Sequence, residues 1–314
     1  MPSTEPVTEP GPPRGPIELW AFGRSHLGRR RADNQDDFLI IADLSAPADH
    51  GYTLRPDAGE DGVVRDGRFL LGPKGALLLV ADGMGGPGGS VASRIASTCI
   101  QHELASSWAT EAGASPERFA TLLRRAIEQA NARIRRQTQD NIELDGMGST
   151  ATAVGVLGDF LYIGQVGDSR AYLVREGVPF QLTRDQTIVQ AMIDAGTLTP
   201  EDAETSRHRT TLLQALGTAI DVGVDLTVQQ LCRGDVLVLC SDGLSRTVRA
   251  DEIAGIVSNT EDVIAACDAL VDLANARGGP DNITAVVARL IGPGLESATP
   301  DRVIERTVLV LPEP

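Results

Sequence analysis

Four aspartates in short glycine-bearing turns are the residues of this chain best suited to chemistry. They stand in Ala81-Asp82-Gly83-Met84-Gly85-Gly86, Gly167-Asp168-Ser169-Arg170, Ser241-Asp242-Gly243-Leu244 and Gly278-Gly279-Pro280-Asp281-Asn282. One Asp-Gly pair after a strand reads simply as a hairpin turn. Four such turns supply more than turns require: several carboxylates, enough for an all-oxygen site that holds a hard divalent cation. The softer ligands offer no rival. Cys99, Cys232, Cys240 and Cys267 lack short spacings and His26, His50, His102 and His208 are scattered, which argues against a zinc site.

The elements that must position these aspartates are legible on either side of them. Asp82 follows the apolar run 76–80, Asp168 follows 161–166 and Asp242 follows 236–240, so each is expected where a buried strand ends and the backbone turns. Asp281 instead precedes a strand over 283–287. Upstream, strands near 19–22 and 38–42 flank a stretch carrying Arg29, Arg30, Arg31 and Asp36, whose arginines would bring positive charge for an anionic substrate. Residues 43–75 read as a long connection with a small hairpin through 72–75. A helix is expected from about 90. A second begins at a Ser115 cap with Pro116 in its first turn and an apolar stripe from Phe119 to Ile134.

After Gly146-Met147-Gly148-Ser149-Thr150, closely spaced runs at 151–157, 160–166 and 171–174 predict an antiparallel series. Residues 183–210 interrupt it with a short helical segment around 188–195 and a capped turn at Thr199-Pro200-Glu201, and are a candidate flap over the site. Strands near 223–228 and 235–240 follow. The last long helix is expected to start at a Thr260 cap and run to Arg277, where Gly278-Gly279-Pro280 stops it and delivers Asp281.

Composition bounds the rest. The 314 residues suffice for a substantial core, and a net charge of −15 argues against nucleic acid as a partner. No stretch has the length and apolarity of a membrane span and no secretory signal begins the chain, so a cytoplasmic protein with reduced, core-packed cysteines is expected. Residues 1–16, rich in proline, read as a disordered leader, 17–291 as the functional domain and 292–314 as a tail. The apolar tail residues 308–311 would pair as an edge strand or meet a partner.

With the turns in place, the sequence resembles the metal-dependent Ser/Thr protein phosphatases of type 2C, in particular their bacterial branch. The motifs that carry the likeness lie in order between about residues 18 and 291: Gly28-x-x-Arg31-x-x-Asn34-Gln35-Asp36, then the turn at Asp82, Gly146 to Thr150, and the turns at Asp168, Asp242 and Asp281, the last continuing through Ile283-Thr284. The resemblance implies an α+β fold, a four-layer α-β-β-α sandwich of two antiparallel sheets flanked by helix pairs. It implies hydrolysis of phosphoserine and phosphothreonine on proteins at two Mn²⁺ or Mg²⁺ ions. Asp82 would bridge them, with the Gly83 carbonyl, Asp242 and Asp281 completing the ligands and Asp168 helping to hold a third ion. Arg31 would bind the substrate phosphate and Asp36 would orient the attacking water, with Gln35 and Asn282 supporting them from behind. The implied partners are phosphorylated proteins, including a Ser/Thr kinase, and a monomer is expected. Pro87 stands where many relatives carry a histidine, which leaves His208 in the flap as a candidate for the leaving-group acid. The alternative is a catalytically silent relative that binds phosphoproteins or regulates.

Overall fold

Runs such as Leu77-Leu78-Leu79-Val80 are apolar on both faces, and a strand of that kind needs a cover on each side. The structure is a computed structural model and describes residues 15–45, 53–54, 67–111, 115–299, 304 and 306–310. Its strands in chain order are β1 (Glu18–His26), β2 (Asp36–Ile41), β3 (Thr53–Leu54), β4 (Arg68–Leu70), β5 (Ala76–Met84), β6 (Gly148–Ser149) and β7 (Ala151–Leu157). They continue as β8 (Phe160–Val166), β9 (Arg170–Arg175), β10 (Val178–Gln181), β11 (Asp225–Gln230), β12 (Val236–Cys240), β13 (Ile283–Ile291) and β14 (Thr307–Val308). The helices are α1 (Gly89–Ala109), α2 (Pro116–Asp140), α3 (Ile188–Asp194), α4 (Pro200–Thr205), α5 (Asp242–Ser245), α6 (Ala250–Asn259) and α7 (Val263–Ala276).

One sheet runs β10-β9-β12-β13-β1-β4 and the other β14-β11-β8-β7-β5-β2-β3, with β6 paired to the end of β5. Their inner faces meet through Leu78, Val80, Val154 and Ile163 on one side and Leu173, Leu239, Val286 and Ala288 on the other. The alternate residues Leu77, Leu79 and Ala153 face α1 and α2, where Trp108, Phe119, Leu123 and Ile127 cover them. Ile253, Val257, Cys267 and Leu270 of α6 and α7 cover Val238, Ala285 and Val287 of the second sheet in the same way. The layers therefore stack helix, sheet, sheet, helix, as the resemblance implied.

Several expectations shift in detail. Residues 72–75 do not close a hairpin, because β4 pairs with β1 in one sheet while β5 enters the other. The series through Asp168 is likewise not one meander: β7 and β8 pair, but β9 pairs with β10 and β12. The turn at Gly167, with φ of +98°, crosses between the sheets, and sequence spacing alone cannot distinguish a hairpin from such a crossing. The cap of α7 is Asp262, whose carboxylate accepts the Ala265 N–H at 2.8 Å, not Thr260, because α6 occupies the chain up to Asn259. Helices α5 and α6 were not foreseen. Ser115 does cap α2, and β14 pairs with β11 at the sheet edge. All four cysteines are buried free thiols. Among the described residues, no helix is long and apolar enough to cross a membrane. Residues 1–14 of the leader, most of 43–75 and 311–314 lie outside the described residues.

Candidate metal centre

Antiparallel register does the first part of the assembly. Asp36, the first residue of β2, lies directly across from Asp82 near the end of β5. The Asp82 N–H donates to Thr150 Oγ1 at 2.9 Å and the Thr150 N–H donates to the Asp82 carbonyl at 2.8 Å. Thr150 Oγ1 in turn shares a 2.7 Å hydrogen bond with Ser169 Oγ. Buried hydroxyls thus tie the Asp82 strand to the residue after Asp168, which is a physical use for the Gly-Ser-Thr and Gly-Asp-Ser motifs. Gly83 is enforced by packing: a Cβ there would lie 2.0 Å from the Gly89 carbonyl oxygen and 2.7 Å from that of Gln35.

Asp36 is held from the opposite sheet. Its Oδ2 accepts from Ser241 Oγ and Thr284 Oγ1, both at 2.7 Å, while its buried Oδ1 has no hydrogen-bond donor. Asp242 opens α5 just after β12, and Gly243 lets that helix approach the Asp281 turn so closely that a Cβ would stand 1.9 Å from the Asn282 carbonyl oxygen. Asn282 binds the arginine-rich segment to this turn: Nδ2 donates to the Leu27 and Asp33 carbonyls and Oδ1 accepts the Gln35 N–H, each at 2.9 Å. Gln35 also donates through Nε2 to the Gly86 carbonyl.

Two arginines partner the carboxylates. Arg31 makes two 2.7 Å hydrogen bonds to Asp281, so its guanidinium reaches the cluster but is engaged there. Arg246 pairs with Asp168 Oδ2 at 2.8 Å and with Asp242 Oδ2 at 2.6 Å. Sequence reading passed over Arg246, and its i,i+4 spacing from Asp242 would have marked it had α5 been recognised. It also passed over Ser241 and Thr284 as the residues that fix Asp36. His208 is not brought to the carboxylates by any of its hydrogen bonds, which involve Arg207, Ser206 and Thr211. The flap nevertheless touches the site at its root, where Gln186 N–H donates to the Gly167 carbonyl and Gln186 Oε1 accepts the Gly167 N–H, both at 2.9 Å.

Burial and mutual repulsion make this cluster costly to ionise. Burial pushes Asp36 up to about 7 against the hydroxyl hydrogen bonds of Ser241 and Thr284, with Asp242 and Asp281 adding to the rise. Burial and the charges of Asp36 and Asp242 hold Asp82 well above the usual carboxylate range. Burial and Asp242 push Asp168 to about 7, opposed by Arg246, and burial raises Asp242 against the same arginine. Among the described residues, no three His, Cys, Asp or Glu side chains already enclose a common point, since Asp281 leans on Arg31 and Asp242 on Arg246. The donor set still fits hard divalent cations: oxygen ligands only, the unpartnered Oδ1 of Asp242, and an excess of negative charge that such ions relieve. A groove of about 410 Å³ between α1 and α2, lined by Arg94, Cys99, His102 and Arg133 among others, includes none of these turns.

Comparison with known proteins gives the family. A protein-family model described as Protein phosphatase 2C matches residues 62–286. The chain belongs to the protein phosphatase 2C family. Within that family it is 36% identical over 240 residues to the serine/threonine protein phosphatase PstP of Mycobacterium tuberculosis, an alignment covering 76% of this chain and 45% of PstP. The chain thus spans less than half of that relative's length. It is also 36% identical over 213 residues to the serine/threonine phosphatase Stp of Listeria monocytogenes, covering 67% of this chain and 83% of Stp. Among solved structures, the catalytic domain of PstP in complex with two manganese ions superposes with a TM-score of 0.68 at 32% identity, covering 88% of this chain and all of that one, 100%. Two antiparallel sheets flanked by helices are thus shared with a family member whose structure holds manganese.

Proposed function

We propose that this chain hydrolyses phosphoserine and phosphothreonine on proteins, opposing Ser/Thr kinases, with Mn²⁺ or Mg²⁺ as cofactor. The observation that carries the reading is that aspartates from both sheets are held together at strand ends, Asp82 directly across from Asp36, and Asp242 with a buried Oδ1 that has no hydrogen-bond partner. Asp82, the Gly83 carbonyl, Asp242 and Asp281 would hold two ions. Bound there, the ions would lower the pKa of water and neutralise phosphoryl oxygens.

The chain's own groups do the remaining work. Arg31 exchanges Asp281 for the substrate phosphate, since its planar guanidinium matches two phosphate oxygens as well as it matches a carboxylate. Asp36 has one oxygen saturated by two hydroxyl donors, so its Oδ1 is the atom left to accept a proton from the attacking water. Gln35 and Asn282 keep the arginine segment in register with Asp281. His208 would have to leave Arg207 to act as an acid. A soluble monomer acting on phosphoproteins, a kinase among them, completes the proposal.

The test is release of phosphate from p-nitrophenyl phosphate and from a phosphothreonine peptide, with and without Mn²⁺, by the native chain and by Asp242→Asn. Metal-dependent release that the variant loses supports the reading. A folded, Mn²⁺-binding chain that releases none would leave the regulatory alternative in its place.

A further inference from the structure

We propose that Arg246 is a built-in cation that fills the place between Asp168 and Asp242, so that this chain binds two divalent ions and not three. The proposal rests on the metal-centre reading above and refines its stoichiometry. It departs from the third ion that the family resemblance implies at Asp168.

Position is the first argument. Arg246 stands one helical turn beyond Asp242, with its N–H donating to the Asp242 carbonyl at 2.9 Å. From there Nη1 reaches Asp242 Oδ2 at 2.6 Å and Nη2 reaches Asp168 Oδ2 at 2.8 Å. A divalent ion shared by these two aspartates needs their oxygens at about 2.0–2.6 Å, and the guanidinium already engages one oxygen of each. The two positive charges would also lie within a few ångströms of one another and repel.

Persistence is the second. A guanidinium keeps its charge at any physiological pH and is tethered, whereas an ion must be recruited from solution. Neither aspartate can easily draw away. The Asp168 turn is clamped by the paired hydrogen bonds between Gly167 and Gln186, and the neighbouring Ser169 is fixed through Thr150. Asp242 is fixed as the first residue of α5. Arg31 offers the contrast: it is 55% exposed and among the described residues its ion pair is with Asp281, so one carboxylate can release it, whereas Arg246 is 30% exposed and bridges two.

Compatibility with the two-ion centre is the third. Asp242 divides its oxygens, giving Oδ2 to Arg246 and leaving Oδ1 unpartnered for the centre shared with Asp82 and Asp281. Arg246 therefore blocks the outer position without taking the ligand that the inner ones need. It is a positioning residue, because it acts on the reaction only by fixing Asp242 and Asp168.

The experiment counts Mn²⁺ bound per chain by calorimetric titration and by electron paramagnetic resonance of free ion, for the native protein, Arg246→Ala, Arg246→Gln and Arg246→Ala/Asp168→Asn. Two ions on the native chain, three on either single variant and two again on the double variant are expected. In chelator, the single variants should also melt below the native protein, because Asp168 and Asp242 lose their counter-charge. Should one single variant fold poorly, the other carries the count. Three ions on the native chain, or two on both folded single variants, would overturn the proposal alone. No Mn²⁺ on any of the proteins would instead overturn the metal-centre reading and this inference with it.

Discussion

Gly243 and Gly83 are the positions where one methyl group tests the geometry of the centre. Gly243→Ala places a Cβ 1.9 Å from the Asn282 carbonyl oxygen, so either α5 or the Asp281 turn must shift. Overpacking of this kind costs about 1–3 kcal/mol, and we expect a lowered melting temperature together with at least about tenfold weaker Mn²⁺ binding, about 1.4 kcal/mol, by titration. A melting curve and affinity like those of the native protein would show that α5 and Asp281 can separate freely. Asp82→Asn removes one of several mutually repelling carboxylates. In chelator its midpoint should equal or exceed that of the native chain, while turnover and stabilisation by Mn²⁺ are lost. For Arg31→Ala, steady-state kinetics should show a raised KM, and an unchanged KM and kcat would remove Arg31 from the phosphate site.

At the scale of elements, the centre is only as rigid as the strands and helices that present it. Arg175 at the end of β9 and Asp235 just before β12 form a buried pair, with two guanidinium hydrogen bonds at 2.8 and 2.7 Å. The Asp235 carboxylate also accepts the Cys232 N–H at 2.8 Å. Removing one partner of a buried pair leaves the other charge uncompensated, at about 3–5 kcal/mol. Asp235→Ala should therefore lower stability by that order in a denaturant melt. Helix α1 is fastened differently. Trp108 is fully buried, stacks edge-on against Phe119 and donates Nε1–H to the Lys74 carbonyl at 2.8 Å. Trp108→Ala is expected to cost about 3–5 kcal/mol. A loss below about 1 kcal/mol would mean that the α1–α2 layer repacks around the gap, well below the usual range for such a truncation.

For the whole molecule, carboxylates from both sheets converge at one rim, and their mutual repulsion is a cost that the rest of the sandwich must offset. Ions that bind only the folded chain relieve it, so Mn²⁺ should raise the melting temperature, by about 2.7 kcal/mol of added stability at a hundredfold excess over its dissociation constant. An unchanged midpoint at saturating Mn²⁺ would contradict a centre formed in the native fold. Much of this architecture was written locally. The turns at Asp82, Asp168, Asp242 and Asp281 were legible because glycines and apolar runs mark strand ends, and the Ser115 cap of α2 because helix starts depend on a few adjacent residues. Which sheet a strand joins was not legible, as β4, β5 and the crossing from β8 to β9 show, because pairing depends on partners far along the chain. The sequence alone determined which residue types are available for the centre: oxygen ligands at strand ends, arginines before Asp36, and no sulfur or histidine cluster. Only the tertiary structure decided their partners, giving Asp36 to Ser241 and Thr284, Asp281 to Arg31, and Asp168 with Asp242 to Arg246. Those choices turn on distances of a few ångströms between segments up to 250 residues apart, which no local pattern encodes.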